Sequence, residues 1–262
     1  MNCHSAADSR YIPGLVIQSV VPAPSGGTLD TFRKEETGHQ IPYDRRFGGW
    51  YLTGQGSMTN HWGNLIGRMH EGEISRQMIE PGKRFDFGKY LVASSDLLAH
   101  LLLEHQAGFV NRMLEATYRT RTILHSSGEQ PTSAQSEELD KEARELVRYI
   151  LFADEPPLPS GGVLGDPLLK NAFLASRRVA SNGRSLKDFD LHERLFANRC
   201  SYMIYSPVFT ALPSEIKTRV FRELSLAFRE SNATYAYLTP AEKRAIRTIL
   251  SETVSDLPIS LN

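Results

Sequence analysis

Apolar positions divide this chain into two kinds of stretch. From Ser95 or Asp96, both good N-cap residues, Leu97, Leu98, Leu101, Leu102, His105, Phe109 and Met113 recur at helical spacing, which predicts a long helix to about Leu124. Leu139, Ala143, Leu146, Val147 and Ile150 predict a second helix over about 136–153. Asp166-Pro167, a cap followed by a proline at the first helical position, opens a third to about Val179. Short core helices are expected over 186–209. Pro213 then starts a helix through Ile216, Val220, Leu224 and Phe228, and Thr239-Pro240-Ala241-Glu242 reads as a capping box before the last one. Upstream of residue 90 the periodicity is different. Residues 13–21 are rich in β-branched side chains and read as a strand, Pro22–Gly27 as a turn and 47–53 as a second short strand, with 28–46 and 68–89 as irregular polar connections. The expected fold is mainly α: a helical region over 91–262 and a small strand-containing, Gly/Trp-rich part over 1–90, packed together or continuous as one domain.

Composition narrows the function classes. The 262 residues are 40% hydrophobic and 23% charged, which is globular rather than disordered. Thirty basic and thirty acidic residues balance, so nothing points to nucleic acid or an anionic membrane surface. No apolar run approaches the roughly 20 residues of a membrane span. Two cysteines, Cys3 and Cys200, are too few for a disulfide scaffold, and Cys200 lies in an apolar context that reads as a buried thiol.

Candidate chemistry concentrates in 39–67, which holds both tryptophans, Trp50 and Trp62, among several glycines. Glycine lets the backbone approach closely, and aromatics supply rigid flat surfaces, so the stretch suits a platform for a flat group or for the protein's own core. Cys3-His4 is the second half of a C-x-x-C-H haem box, in which the histidine ligates the iron; alone, the pair is a weak signal that chance produces often, and it reads more simply as a polar chain end. His61 is either a second axial ligand or a loop histidine bonded to backbone, and Met58 is a rival ligand. His39 lies in a charged loop. His105 faces inward beside Glu104, either as a metal or proton-transfer group or as a satisfied core histidine. Arg46, next to Arg45, suits a carboxylate or a haem propionate.

These pieces stand in the order Cys3-His4-Ser5, Pro13-Gly14-Leu15-Val16-Ile17-Gln18-Ser19-Val20, His39, Phe47-Gly48-Gly49-Trp50-Tyr51-Leu52-Thr53-Gly54 and His61-Trp62-Gly63-Asn64. Further blocks follow: Leu103-Glu104-His105-Gln106, Gly183-Arg184-Ser185-Leu186-Lys187-Asp188-Phe189-Asp190-Leu191 and Cys200-Ser201-Tyr202-Met203-Ile204-Tyr205-Ser206. Together they resemble a group of bacterial exported proteins described as cytochrome c-type haem-binding, over nearly the whole chain. The resemblance implies haem c, with Cys3 as a thioether cysteine, His4 as the proximal ligand, and His39, His61 and His105 at family histidine positions. Trp50, Tyr51 and Trp62 would line the haem edge. Gln55 stands where the family has a histidine and Phe47 where it has tryptophan. The first haem-box cysteine is missing, so a longer start is expected, with export to the periplasm; with Met1 as the start, the chain would be cytoplasmic. The expected function is electron transfer with an unidentified redox partner protein. A peroxidase-like haem enzyme and a non-haem helical interaction module are the alternatives.

Overall fold

The computed structural model describes residues 11–32, 38–53, 59–80, 83 and 86–255. Cys3, His4, Gln55 and Met58 lie outside the described residues. The fold is mainly helical. Six α-helices follow two small antiparallel hairpins among the described residues. None of the helices is long and apolar enough to cross a membrane. The chain forms two compact units. The first comprises 1–108, 155–172 and 191–195, and the second 109–154, 173–190 and 196–262.

In the first unit, β1 (Ser19–Pro22) pairs with β2 (Thr28–Phe32) across the expected turn, and β3 (Leu65–His70) pairs with β4 (Glu73–Met78). Only β1 overlaps the first expected strand, and it is shorter. The other three strands lie in or beyond segments that read as irregular. β3 and β4 are joined by Glu71 and Gly72, both at positive φ (50° and 84°), which is the signature of a two-residue turn whose twist matches the strands. Glu-Gly is a weak hairpin signal in sequence, and β4 exposes nearly all its side chains, so no apolar alternation marks it. Gly67 lets the hairpins meet: a Cβ there would lie 2.7 Å from Val21 and 2.9 Å from Leu29.

The second expected strand, 47–53, is not one. It runs as extended and turned chain, with a single bridge from Thr53 to Asp96. Its polar partner is a side chain. Asn64, at φ 60°, accepts from Leu52 N through Oδ1 (2.6 Å) and donates through Nδ2 to Leu52 O (2.9 Å), while Asn64 N donates to Trp50 O (2.9 Å). A short amide thus supplies the pairing that a strand edge would otherwise give.

α1 (Leu97–Ser126) begins where its apolar period predicts; Asp96 caps it by accepting from Leu98 N at 2.9 Å. α2 (Ser133–Ile150) starts one turn early because Thr132 and Gln135 form a reciprocal capping box. It stops before Phe152 and Asp154, both at positive φ, a backbone conformation outside a right-handed helix. α3 (Pro167–Leu174) is capped by Asp166 as expected but ends sooner. The 186–209 region contributes one 3₁₀ turn (Tyr202–Tyr205) and a single helical turn, α4 (Pro207–Thr210).

In the second unit, α5 (Ser214–Ala227) packs on α2, and Arg219 joins Asp140 between them. α6 (Pro240–Thr253) is capped by Thr239 alone. Glu242, the expected other half of that box, instead holds Arg199 at 2.6 Å. A nearby cationic guanidinium offers the carboxylate a stronger bond than a neutral backbone N–H. Cys200 is fully buried, and burial pushes its thiol pKa far up.

Candidate functional site

The first unit brings together residues that are distant in sequence. A 3₁₀ turn at Gly38–Gln40 buries His39, and a second at Tyr43–Arg45 turns the chain so that Arg46 points inward. Arg46 is only 1% exposed. Its Nε donates to Ile41 O (2.6 Å), one terminal nitrogen donates to His39 O (2.6 Å), and the other lies 3.3 Å from Glu104 Oε2. The guanidinium also stacks on the Tyr43 ring, 4.1 Å from its centre. Such a planar, five-donor cation can be buried because its N–H groups are matched in several directions at once. Arg46 is therefore committed to this network, and the exposed member of the arginine pair is Arg45.

α1 supplies the facing groups. His105 follows Leu101 by one turn and is fully buried. Its Nδ1 lies 2.9 Å from His39 Nδ1 in a hydrogen bond between the rings. The ring centres are 5.1 Å apart, about the separation reached when the two nitrogens face each other in line. An in-line arrangement needs one ring to donate and the other to accept, so the pair holds one proton on this bond. Two metal ligands would instead converge on a point beside both nitrogens. No group of three or more His, Cys, Asp or Glu side chains placed to hold a metal occurs among the described residues. Burial lowers the His105 pKa to about 3, so the imidazole is neutral. Burial raises the Glu104 carboxyl to about 7, opposed by the Arg46 charge.

One turn earlier on α1, His100 is also buried. Its Nε2 lies 2.8 Å from Ser95 Oγ, and its ring meets Trp50 edge-on at 5.1 Å and Phe47 at 6.1 Å. Burial holds its pKa below the ordinary value, against the pull of Asp96. Sequence reading passed over His100 because it interrupts an apolar run and belongs to no motif. Its helical position, four residues before Glu104, was the available signal.

Trp50 opens onto a pocket of 520 Å³. Its walls are Trp50, Tyr51, Phe87 and Tyr90, and the segment from Leu91 to Ser95 with Lys89 completes it. A short 3₁₀ turn, Phe87–Lys89, places Phe87 and Lys89 there, capped by Asp86 accepting from Gly88 N. Two bonds fix the far side: Thr53 N donates to Ser95 O (2.8 Å), and Ser95 N donates to Thr53 Oγ1 (2.7 Å).

The other expected site residues are placed apart from this opening. Trp62 is buried, with the guanidinium of Arg45 5.4 Å and that of Arg76 5.0 Å from its ring centre. His61 is half-buried with its ring edge-on to Phe47 at 5.7 Å, and burial lowers its pKa against an opposing contribution from the Gly63 backbone. Neither lines the pocket. Phe47 itself holds a positive φ of 64° while almost fully buried, a costly conformation for a bulky residue. The next residue explains why the chain accepts it: a Cβ on Gly48 would sit 2.5 Å from Val20 N and closer still to Val20 O, so the backbones of this turn and β1 are in direct contact. Ser19 Oγ joins them, accepting from Gly48 N at 2.9 Å and donating to Arg45 O. No family model, no curated protein and no solved structure matches this chain.

Proposed function

We propose that this is a haem-binding redox protein that transfers electrons, with the Trp50–Tyr51–Phe87–Tyr90 pocket as the seat of the macrocycle. The observation that carries the reading is this ring-walled opening within the same unit as the glycine-aromatic block. Flat aromatic walls suit a flat macrocycle, and the volume is in the range of pockets for sizeable ligands. Haem iron supplies one-electron chemistry. In this reading Trp50 and Tyr51 would pack the ring, and His4, brought by the Cys3 tether, would hold the iron; of the two expected second ligands His61 does not line this pocket, which leaves Met58. The implied cofactor is haem c, and its attachment implies periplasmic export.

A peroxidase-like reading draws on a different observation. Glu104 and the hydrogen-bonded His39–His105 pair form a buried group of proton-holding side chains, and proton handling is what such an enzyme requires.

The test is expression of the gene with its upstream sequence alongside export and haem-maturation machinery. A c-type pyridine haemochrome band is expected, and its absence removes the proposal. A six-coordinate low-spin iron favours electron transfer, and a five-coordinate or water-bound iron favours the enzyme. Met58→Ala converts the first to the second if Met58 is the second ligand.

A further inference from the structure

We infer that the pocket takes a planar aromatic molecule bearing a carboxylate, with Lys89 and Ser95 as the polar anchors of an otherwise apolar site. This rests on the haem reading only for the choice of pocket and extends to planar anions that are not haem.

The lining gives the sign of the charge. It contains Lys89 and no acidic side chain. Lys89 is exposed, and no acidic side chain pairs with its ammonium among the described residues. A cationic guest would gain from the Trp50 and Tyr51 faces but would be repelled by Lys89, whereas an anion is attracted. The rings give the shape, because stacking on Trp and Tyr rewards a flat apolar body.

Ser95 supplies the second anchor. Its backbone N–H is already spent on Thr53 Oγ1, which leaves the hydroxyl as its donor toward a guest. That hydroxyl lies 2.8 Å from Nε2 of His100, a ring fixed edge-on by Trp50 and Phe47. In the tautomer with the proton on Nε2, His100 donates to Ser95 Oγ, and the serine proton is available to a carboxylate. Trp50, one wall of the pocket, is thereby coupled through His100 to the polar anchor, so the stacking and hydrogen-bonding parts of the site are held by one buried ring.

The experiment uses the full chain without added haem and two probes, metal-free protoporphyrin IX and its dimethyl ester, which differ in the carboxylates alone. The absorption shift of each porphyrin on titration reports binding, with Trp50→Ala as the control for this pocket. Saturable binding of the acid that Trp50→Ala abolishes is expected, with the ester weaker by about tenfold. Lys89→Ala is expected to weaken the acid about three- to tenfold and leave the ester unchanged. Ser95→Ala is expected to act in the same direction. Lys89 is exposed, so its variant keeps the fold, which circular dichroism checks. Equal binding of acid and ester, or binding insensitive to Trp50→Ala, overturns the inference. Anthracene-2-carboxylate separates the two proposals. If it binds in a Lys89-dependent way while the exported protein shows no haemochrome band, the haem reading fails and this one stands.

Discussion

His39 and His105 are 66 residues apart in sequence, and their Nδ1 atoms are 2.9 Å apart in the buried part of the first unit. Because one proton serves this bond, a single strongly downfield imidazole N–H resonance is expected in proton–nitrogen spectra. It should vanish in both His39→Phe and His105→Phe. His39→Ala should lower stability by about 1–3 kcal/mol in urea unfolding, the cost of losing a buried hydrogen bond.

Stability should depend on pH through two opposed groups. His105 has a folded pKa of about 3 against an ordinary 6.5, so its contribution is complete above 6.5 and is lost as pH falls toward 3. Glu104 has a folded pKa of about 7 against 4.5, so its contribution is complete below 4.5 and is lost as pH rises through 7. Melting temperature against pH is the measurement. Glu104→Gln should flatten the decline toward neutral pH, and His105→Phe should flatten the decline toward acid.

The Arg46–Glu104 pair should cost more to break than to replace. Arg46→Met removes the charge that opposes burial at Glu104, leaves the buried carboxyl without that partner and should destabilise by about 3–5 kcal/mol. Adding Glu104→Leu to Arg46→Met should restore part of that loss. The urea midpoints of the single and double variants decide it, and a double variant no more stable than the single one would contradict the coupling.

Two backbone positions should be intolerant for different reasons. Gly48→Ala drives a methyl into the Val20 backbone and should cost about 3 kcal/mol, as overpacking does. Asn64→Ala loses both amide bonds to Leu52 and places a Cβ-bearing residue without a polar side chain at positive φ. Asn64→Gly keeps the conformation and loses only the bonds, so it should be the milder of the two substitutions. Thermal unfolding ranks them.

The helices were the legible part of the fold. α1, α5 and α6 begin where their apolar period and caps predict, because a helix is encoded by neighbours three and four residues apart. The hairpins were less so. β3 and β4 are short and largely exposed, and the turn between them uses a weak pair of residues. The 47–53 segment has strand-like composition, yet its polar partner is the side chain of Asn64 rather than another strand.

The sequence by itself determined a mainly helical chain, an inward position for His105 and a glycine-aromatic block able to lie close to other backbone. Tertiary structure alone decided that His39 meets His105, that Arg46 turns inward to Glu104 while Arg45 stays exposed, and that of the two tryptophans Trp50 opens onto a pocket and Trp62 is buried beside two arginines. Periodicity fixes which way a side chain faces within its own element. Which groups meet across elements depends on long-range packing, and a buried charge or imidazole is tolerable only where that packing supplies its partner.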